Sequence, residues 1–96
     1  MHAVVRTYSG KGAKELVDVL EKNKAEVEKL IRAVKGFVSF SLVRAEGGGF
    51  SVSVFQDKGG TEESIRVARD WIAKNASNTG VSAPSISQGT VIMQVQ

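Results

Sequence analysis

His2, Arg6 and Tyr8 are the residues of this chain whose types and spacing could do chemistry together. They stand at even positions of a short β-branched segment, and alternate positions of a strand share one face. Arg6 would hold an anionic or phenolate group through its planar guanidinium. Tyr8 and His2 could donate or exchange protons beside it. The same set could instead hydrogen-bond across an interface between two copies of the chain. The choice turns on whether their face is also the face of Ser39, Ser41, Ser51 and Ser53. Strand register decides that, and alternation within one strand does not fix it.

The remaining inventory excludes more than it offers. With no cysteine there is no disulfide framework, thiolate metal site or thiol nucleophile. His2 is the single histidine, so a multi-histidine cluster is excluded, and no metal or cofactor is expected. No two carboxylates sit at a catalytic spacing, and Glu62 and Glu63 read as capping residues of a helix. Ser9-Gly10-Lys11-Gly12 could cradle an anion ahead of a helix. It lacks the Walker spacing and reads as a flexible turn. Thirteen basic and ten acidic residues leave a net charge of +3, too small and dispersed a surplus to call for nucleic acid. No apolar run approaches the ~20 residues that span a bilayer. The opening Met-His-Ala-Val-Val-Arg lacks the regions of a signal peptide. The expectation is a cytoplasmic protein with neither a membrane nor a nucleic-acid partner.

These residues need a scaffold. At 96 residues, 42% apolar and 24% charged, the chain has the balance of one globular domain, 1–96. His2–Tyr8 reads as a strand closed by the glycine turn. Over Ala13–Lys35, Leu16, Leu20, Val27, Leu30, Ile31 and Val34 fall on one helical arc. Asn23 intrudes into that arc and marks either an interior hydrogen bond or a kink. Asp18–Lys22 and Glu28–Arg32 are favourable i,i+4 pairs. Gly36 fits the position that ends a helix. Two strands follow, Phe37–Ala45 and Phe50–Gln56, joined through Glu46-Gly47-Gly48-Gly49.

In these strands Val38, Phe40, Leu42, Phe50, Val52 and Val54 are expected to form one apolar face. The other would carry Ser39, Ser41, Ser51, Ser53 and Phe55, without charge. A solvent face normally carries charge, so this one is expected to be covered by a partner copy or a ligand. Thr61 is the expected N-cap of a second helix. Ile65, Ala68, Ile72 and Ala76 form its inward stripe, widened by Val67 and Trp71, with Ser64 and Asn75 inside the arc. Ala76–Ser85 reads as a loop and Thr90–Val95 as a closing strand. The order β-α-β-β-α-β gives an α+β, ferredoxin-like fold with a four-stranded antiparallel sheet.

Lys35-Gly36-Phe37-Val38-Ser39-Phe40 and Val54-Phe55-Gln56-Asp57, set in that topology, carry a resemblance to a known family. The chain resembles the dimeric α+β barrel superfamily, near the antibiotic-biosynthesis-monooxygenase-like proteins. The resemblance implies a homodimer with paired sheets. It implies oxidation of quinol-like or polyketide aromatics without metal or flavin, or haem degradation. Active members often carry Trp near the end of the third strand and His in the following helix. This chain has Phe55 and Ser64 there, so degenerate chemistry is expected.

Lys35–Phe40 also partly imitates the aromatic motif of an RNA-binding RRM. Val38 stands where Gly or Ala is needed and Ser39 where an aromatic is needed. Trp71 is expected in the core, with a hydrogen-bond partner for its indole N–H. Ser64, Ala68 and Asn75 leave the second helix a small, partly polar seam, which either gives room for a small aromatic or other apolar molecule or lets the helix approach the sheet closely. Two functions then compete. One is a cofactor-independent, monooxygenase-like pocket involving His2, Arg6, Tyr8, Phe55, Ser64 and Asn75. The other is a non-enzymatic binding or assembly module. A cavity of ~300 Å³ or more with converging polar groups favours the first.

Overall fold

β1 (His2–Tyr8) runs through the interior of a four-stranded antiparallel sheet in a computed structural model that describes residues 1–96. The other elements are α1 (Ala13–Lys22), α2 (Lys24–Arg32), β2 (Phe37–Ala45), β3 (Gly48–Phe55), α3 (Lys58–Asn75) and β4 (Ser85–Thr90). The strand order is β2-β3-β1-β4. This is the α+β, ferredoxin-like arrangement that the element order predicts.

Asn23 breaks the expected long helix into α1 and α2. Its backbone leaves helical geometry at φ −111° and ψ 27°, while its side chain donates to the Val19 carbonyl at 2.8 Å. Such local bonding competes with the helix ladder. Leu16, Val17 and Leu20 of α1 and Val27 and Ile31 of α2 are buried. Asp18 pairs with Arg44 of β2 at 3.0 Å, and Glu21 also grips that guanidinium. This cross-element grip takes the place of the expected Asp18–Lys22 pair.

The hairpin turn is shorter than expected. Ala45 pairs with Gly48, so only Glu46 and Gly47 make the turn, and Gly47 takes φ +78°. The helix α3 starts earlier than expected. Asp57 caps it, its Oδ1 accepting from the Gly60 N–H at 3.2 Å, and Thr61 lies inside the first turn. Gly60 makes this entry possible, because a Cβ there would stand 2.6 Å from the Cβ of Phe55.

The sheet faces are also redistributed. Phe37 pairs with Phe55 but Ser39 pairs with Val54, so Val38 is a bulge. Beyond it, Phe40 faces Ser53 and Leu42 faces Ser51 across the ladder. The helix-covered face therefore carries Val4, Arg6 and Tyr8 with Ser51, Ser53, Phe55, Phe40 and Leu42. Val5, Val52, Val54, Ser39 and Ser41 lie on the outer face. Each face mixes apolar residues with serines, in contrast to the expected apolar and serine-bearing faces.

The closing strand also sits earlier in the sequence. β4 pairs with β1 from Thr7↔Ser85 to His2↔Thr90. Main-chain pairing sets its limits, because β1 is only seven residues long. One further bond, Val91 N–H to the Met1 carbonyl at 3.0 Å, ends the ladder. Ile92, Met93 and Val95, expected in the strand, are 96%, 76% and 81% exposed.

Candidate functional site

Arg6 and Tyr8 enter the interior from β1, side by side on the face that the helices cover. Arg6 is only 4% exposed and Tyr8 5%. The Arg6 nitrogens Nε and Nη1 are buried without a hydrogen-bond partner. Burial lowers the guanidinium pKa below its ordinary range, and the neighbouring Tyr8 partly offsets that. Burial raises the Tyr8 hydroxyl pKa, with Arg6 pulling the other way. Both effects disfavour charge in a poorly solvated place. Ser51 lies directly opposite Arg6 in the ladder. It is 2% exposed, and its hydroxyl also lacks a partner.

Two spaces meet at this pair. A small chamber of about 30 Å³ lies between sheet and helices, bounded by Leu20, Phe40, Ser51 and Trp71. It has room for water-sized groups and no more. A larger cleft of about 330 Å³ opens between α3, the β1–β4 end of the sheet and the segment after α3. Ile65, Arg69, Val81, Pro84 and Ile86 line it. Arg6, Tyr8 and Ile72 border both spaces. The cleft falls within the size range of small-molecule sites, at its lower end. No carboxylate, imidazole or thiol lines it. No cluster of three or more His, Cys, Asp or Glu side chains could hold a metal ion.

The structure brings only Arg6 and Tyr8 of the six sequence-derived candidates to the cleft. His2 shares their face but sits at the far end of the strand, with Nδ1 2.9 Å from the Thr61 hydroxyl. That hydroxyl also lies 2.9 Å from the Lys58 carbonyl and 3.2 Å from Gln88 Oε1. Phe55 is fully buried and packs edge-on against Phe37, their ring centres 6.1 Å apart. Ser64 donates to the Thr61 carbonyl at 2.7 Å inside α3. Asn75 donates to the Trp71 carbonyl at 2.9 Å and is exposed. Ser64 and Asn75 thus spend their polar groups on their own helix. Trp71 is buried, and its indole N–H donates to Glu26 of α2 at 2.9 Å.

Sequence reasoning did not place Arg69, Val81 or Ile86 at a site. Arg69 reads as a solvated helix residue, and Val81 falls in a segment read as loop. Ile86 reaches the cleft because β4 begins at Ser85. The composition of residues 76–84 signals a loop, and nothing in it signals that the loop folds back over Arg6.

No protein-family model and no curated protein matches the sequence. Solved structures match its fold. The haem-degrader MhuD from Mycobacterium tuberculosis, bound to two haems, superposes with a TM-score of 0.69 at 20% identity, covering 100% of both chains. The NE2512 protein of unknown function from Nitrosomonas europaea gives 0.69 at 17% identity, covering 99% of this chain and 91% of its own. The monooxygenase from the ActVA-Orf6 gene of Streptomyces coelicolor, in complex with nanaomycin D, gives 0.63 at 17% identity, covering 99% and 89%. The ferredoxin-like α+β fold of these proteins is the fold of this chain.

Proposed function

We propose that this protein is a homodimer that binds a small, largely apolar molecule in the cleft between α3 and the β1–β4 end of the sheet. The observation that carries this is the 330 Å³ cleft, apolar in most of its lining, with the buried Arg6 and Tyr8 at its inner wall. Cavities of this size and character are the default small-molecule sites of proteins. Its location suits the oxygenase-like pocket expected from the sequence. Its residues support binding rather than acid–base work, since the cleft offers no carboxylate, imidazole or thiol. Tyr8 is the buried hydroxyl at the inner wall available to hydrogen-bond the bound molecule.

The test is a screen of small aromatics followed by nuclear magnetic resonance. Shift changes should converge on Arg6, Ile72, Val81 and Ile86, and Ala73→Trp, which fills the cleft, should abolish them. Shift changes elsewhere on the molecule would remove the proposal.

A separate observation supports the dimer. The chain exposes 6108 Å². A monomer of 10.3 kDa is expected to expose about 5,400 Å². The excess is close to one partner's share of a standard interface, about 800 Å². The exposed Ile92, Met93 and Val95 contribute to it, and the outer sheet face around the half-buried Val5 and Val52 is the surface a partner would cover.

A further inference from the structure

We infer that the cleft selects an anion: its ligand is an apolar molecule bearing one carboxylate, received by Arg6 at the wall shared by the two cavities. The inference rests on the cleft being a binding site, as proposed above.

Arg6 takes part in no ion pair of the molecule. Its Nε and Nη1 carry three N–H donors between them, and neither nitrogen has an acceptor. Removing a cation from water without pairing it is among the costliest arrangements a fold can adopt. A cation kept there unpaired is the complement of an anion that arrives from outside. The Ser51 hydroxyl, directly opposite Arg6 and equally without a partner, lines the small chamber and not the cleft, so Arg6 is the group that meets the ligand. Arg69, exposed at the cleft, is already paired with Asp70 at 3.8 Å, which leaves Arg6 as the unpaired cation of the lining. No acidic side chain among the lining residues competes for Arg6.

The class of anion follows from the same observations. Ile65, Ile72, Val81 and Ile86 ask for an apolar body. One buried cation balances one negative charge, which disfavours a phosphate dianion. A carboxylate is ionised at neutral pH, whereas a phenol arrives largely neutral. Its planar pair of oxygens also suits a guanidinium.

The probes are 2-naphthoate and its uncharged counterpart 2-naphthamide, each titrated against the full chain at neutral pH. The acid should bind about tenfold or more tightly than the amide. Arg6→Met should erase that preference and leave the amide's affinity unchanged. The variant should fold, because an apolar chain replaces an unpaired buried charge. Should it fail to fold, the acid-to-amide ratio of the unmodified chain decides alone. Equal affinity for acid and amide, or a preference that survives Arg6→Met, overturns the anion reading and leaves the cleft standing. Binding of neither probe overturns both.

Discussion

The indole N–H of Trp71 donates to Glu26 Oε2 at 2.9 Å, joining the C-terminal part of α3 to the first turn of α2. Trp71 is buried in the core while Glu26 is exposed, so the bond ties an interior ring to a surface carboxylate. Glu26 reads from the helical wheel as plainly solvated. Its reach across to α3 is a tertiary fact that helical periodicity does not contain.

The first prediction concerns this pair. Trp71→Ala should cost ~3–5 kcal/mol, the usual loss for truncating a buried aromatic. Trp71→Phe should be milder, and Glu26→Gln, which keeps an acceptor, milder still. Lys14→Ala, at an exposed position, should stay within ~0.5 kcal/mol. Urea denaturation of the four variants checks the order, and equal midpoints for Trp71→Ala and Lys14→Ala would defeat it.

Adjacent glycines should behave differently. Gly60→Ala brings a methyl group to 2.6 Å from the Cβ of Phe55. Overpacking of this kind costs ~1–3 kcal/mol. Gly59→Ala meets only the Asp57 carboxylate oxygen at 3.2 Å, and alanine favours the helix. Its stability should change by less than ~0.5 kcal/mol. Melting curves of the two variants give the comparison.

Tyr8 should shape the alkaline limb of stability. Burial holds its hydroxyl above the ordinary value of 10.0, against the pull of Arg6. The unfolded chain therefore releases this proton at lower pH than the folded chain does. The contribution is complete below about pH 10 and is lost as pH rises through the folded value. Tyr8→Phe has no proton to release, so its denaturation midpoint should fall less steeply above about pH 10. Parallel profiles for the two proteins would count against the buried hydroxyl.

Haem should not bind tightly. Histidine, cysteine and tyrosinate are among the side chains that hold haem iron. His2, the single histidine, is engaged at Thr61 away from the cleft, and cysteine is absent. Tyr8 is held protonated by burial. Mixing with haem and then gel filtration should leave no Soret band on the protein. A persistent band, lost on unfolding, would contradict this.

Sedimentation should return twice the 10.3 kDa chain mass. Val52→Lys, which puts a charge on the outer face opposite Val5, should shift the molecule to the monomer. A monomer in the unmodified protein removes the dimer.

The topology was legible because periodicity is a local property. Leu16, Leu20, Val27 and Ile31 declare a helical arc, and His2–Tyr8 is bounded by a clear turn. The sheet faces were not legible, because period-two alternation says which residues travel together but not where they point. The bulge at Val38 and the Phe40–Ser53 pairing are properties of two strands at once. β4 shows the same limit. The alternation Val91, Met93, Val95 is a better strand signal than Ser85–Thr90, yet β1 offers partners only to the latter. Arg6 and Tyr8 were legible as site candidates by residue type. The cleft was not, because Ile86 and Val81 reach it through β4 and the segment before it.

The shortness of β1 has a cost for the isolated chain. It leaves Val91-Ile92-Met93-Gln94-Val95-Gln96 without a neighbouring strand in the sheet. That run has no charge, proline or glycine, and three of its side chains are more than three-quarters exposed. Six-residue stretches of such composition are the sequence signature of cross-β stacking. A bare run of this kind is a template for edge-to-edge pairing between copies, so aggregation of the isolated chain is expected to start there rather than in the core.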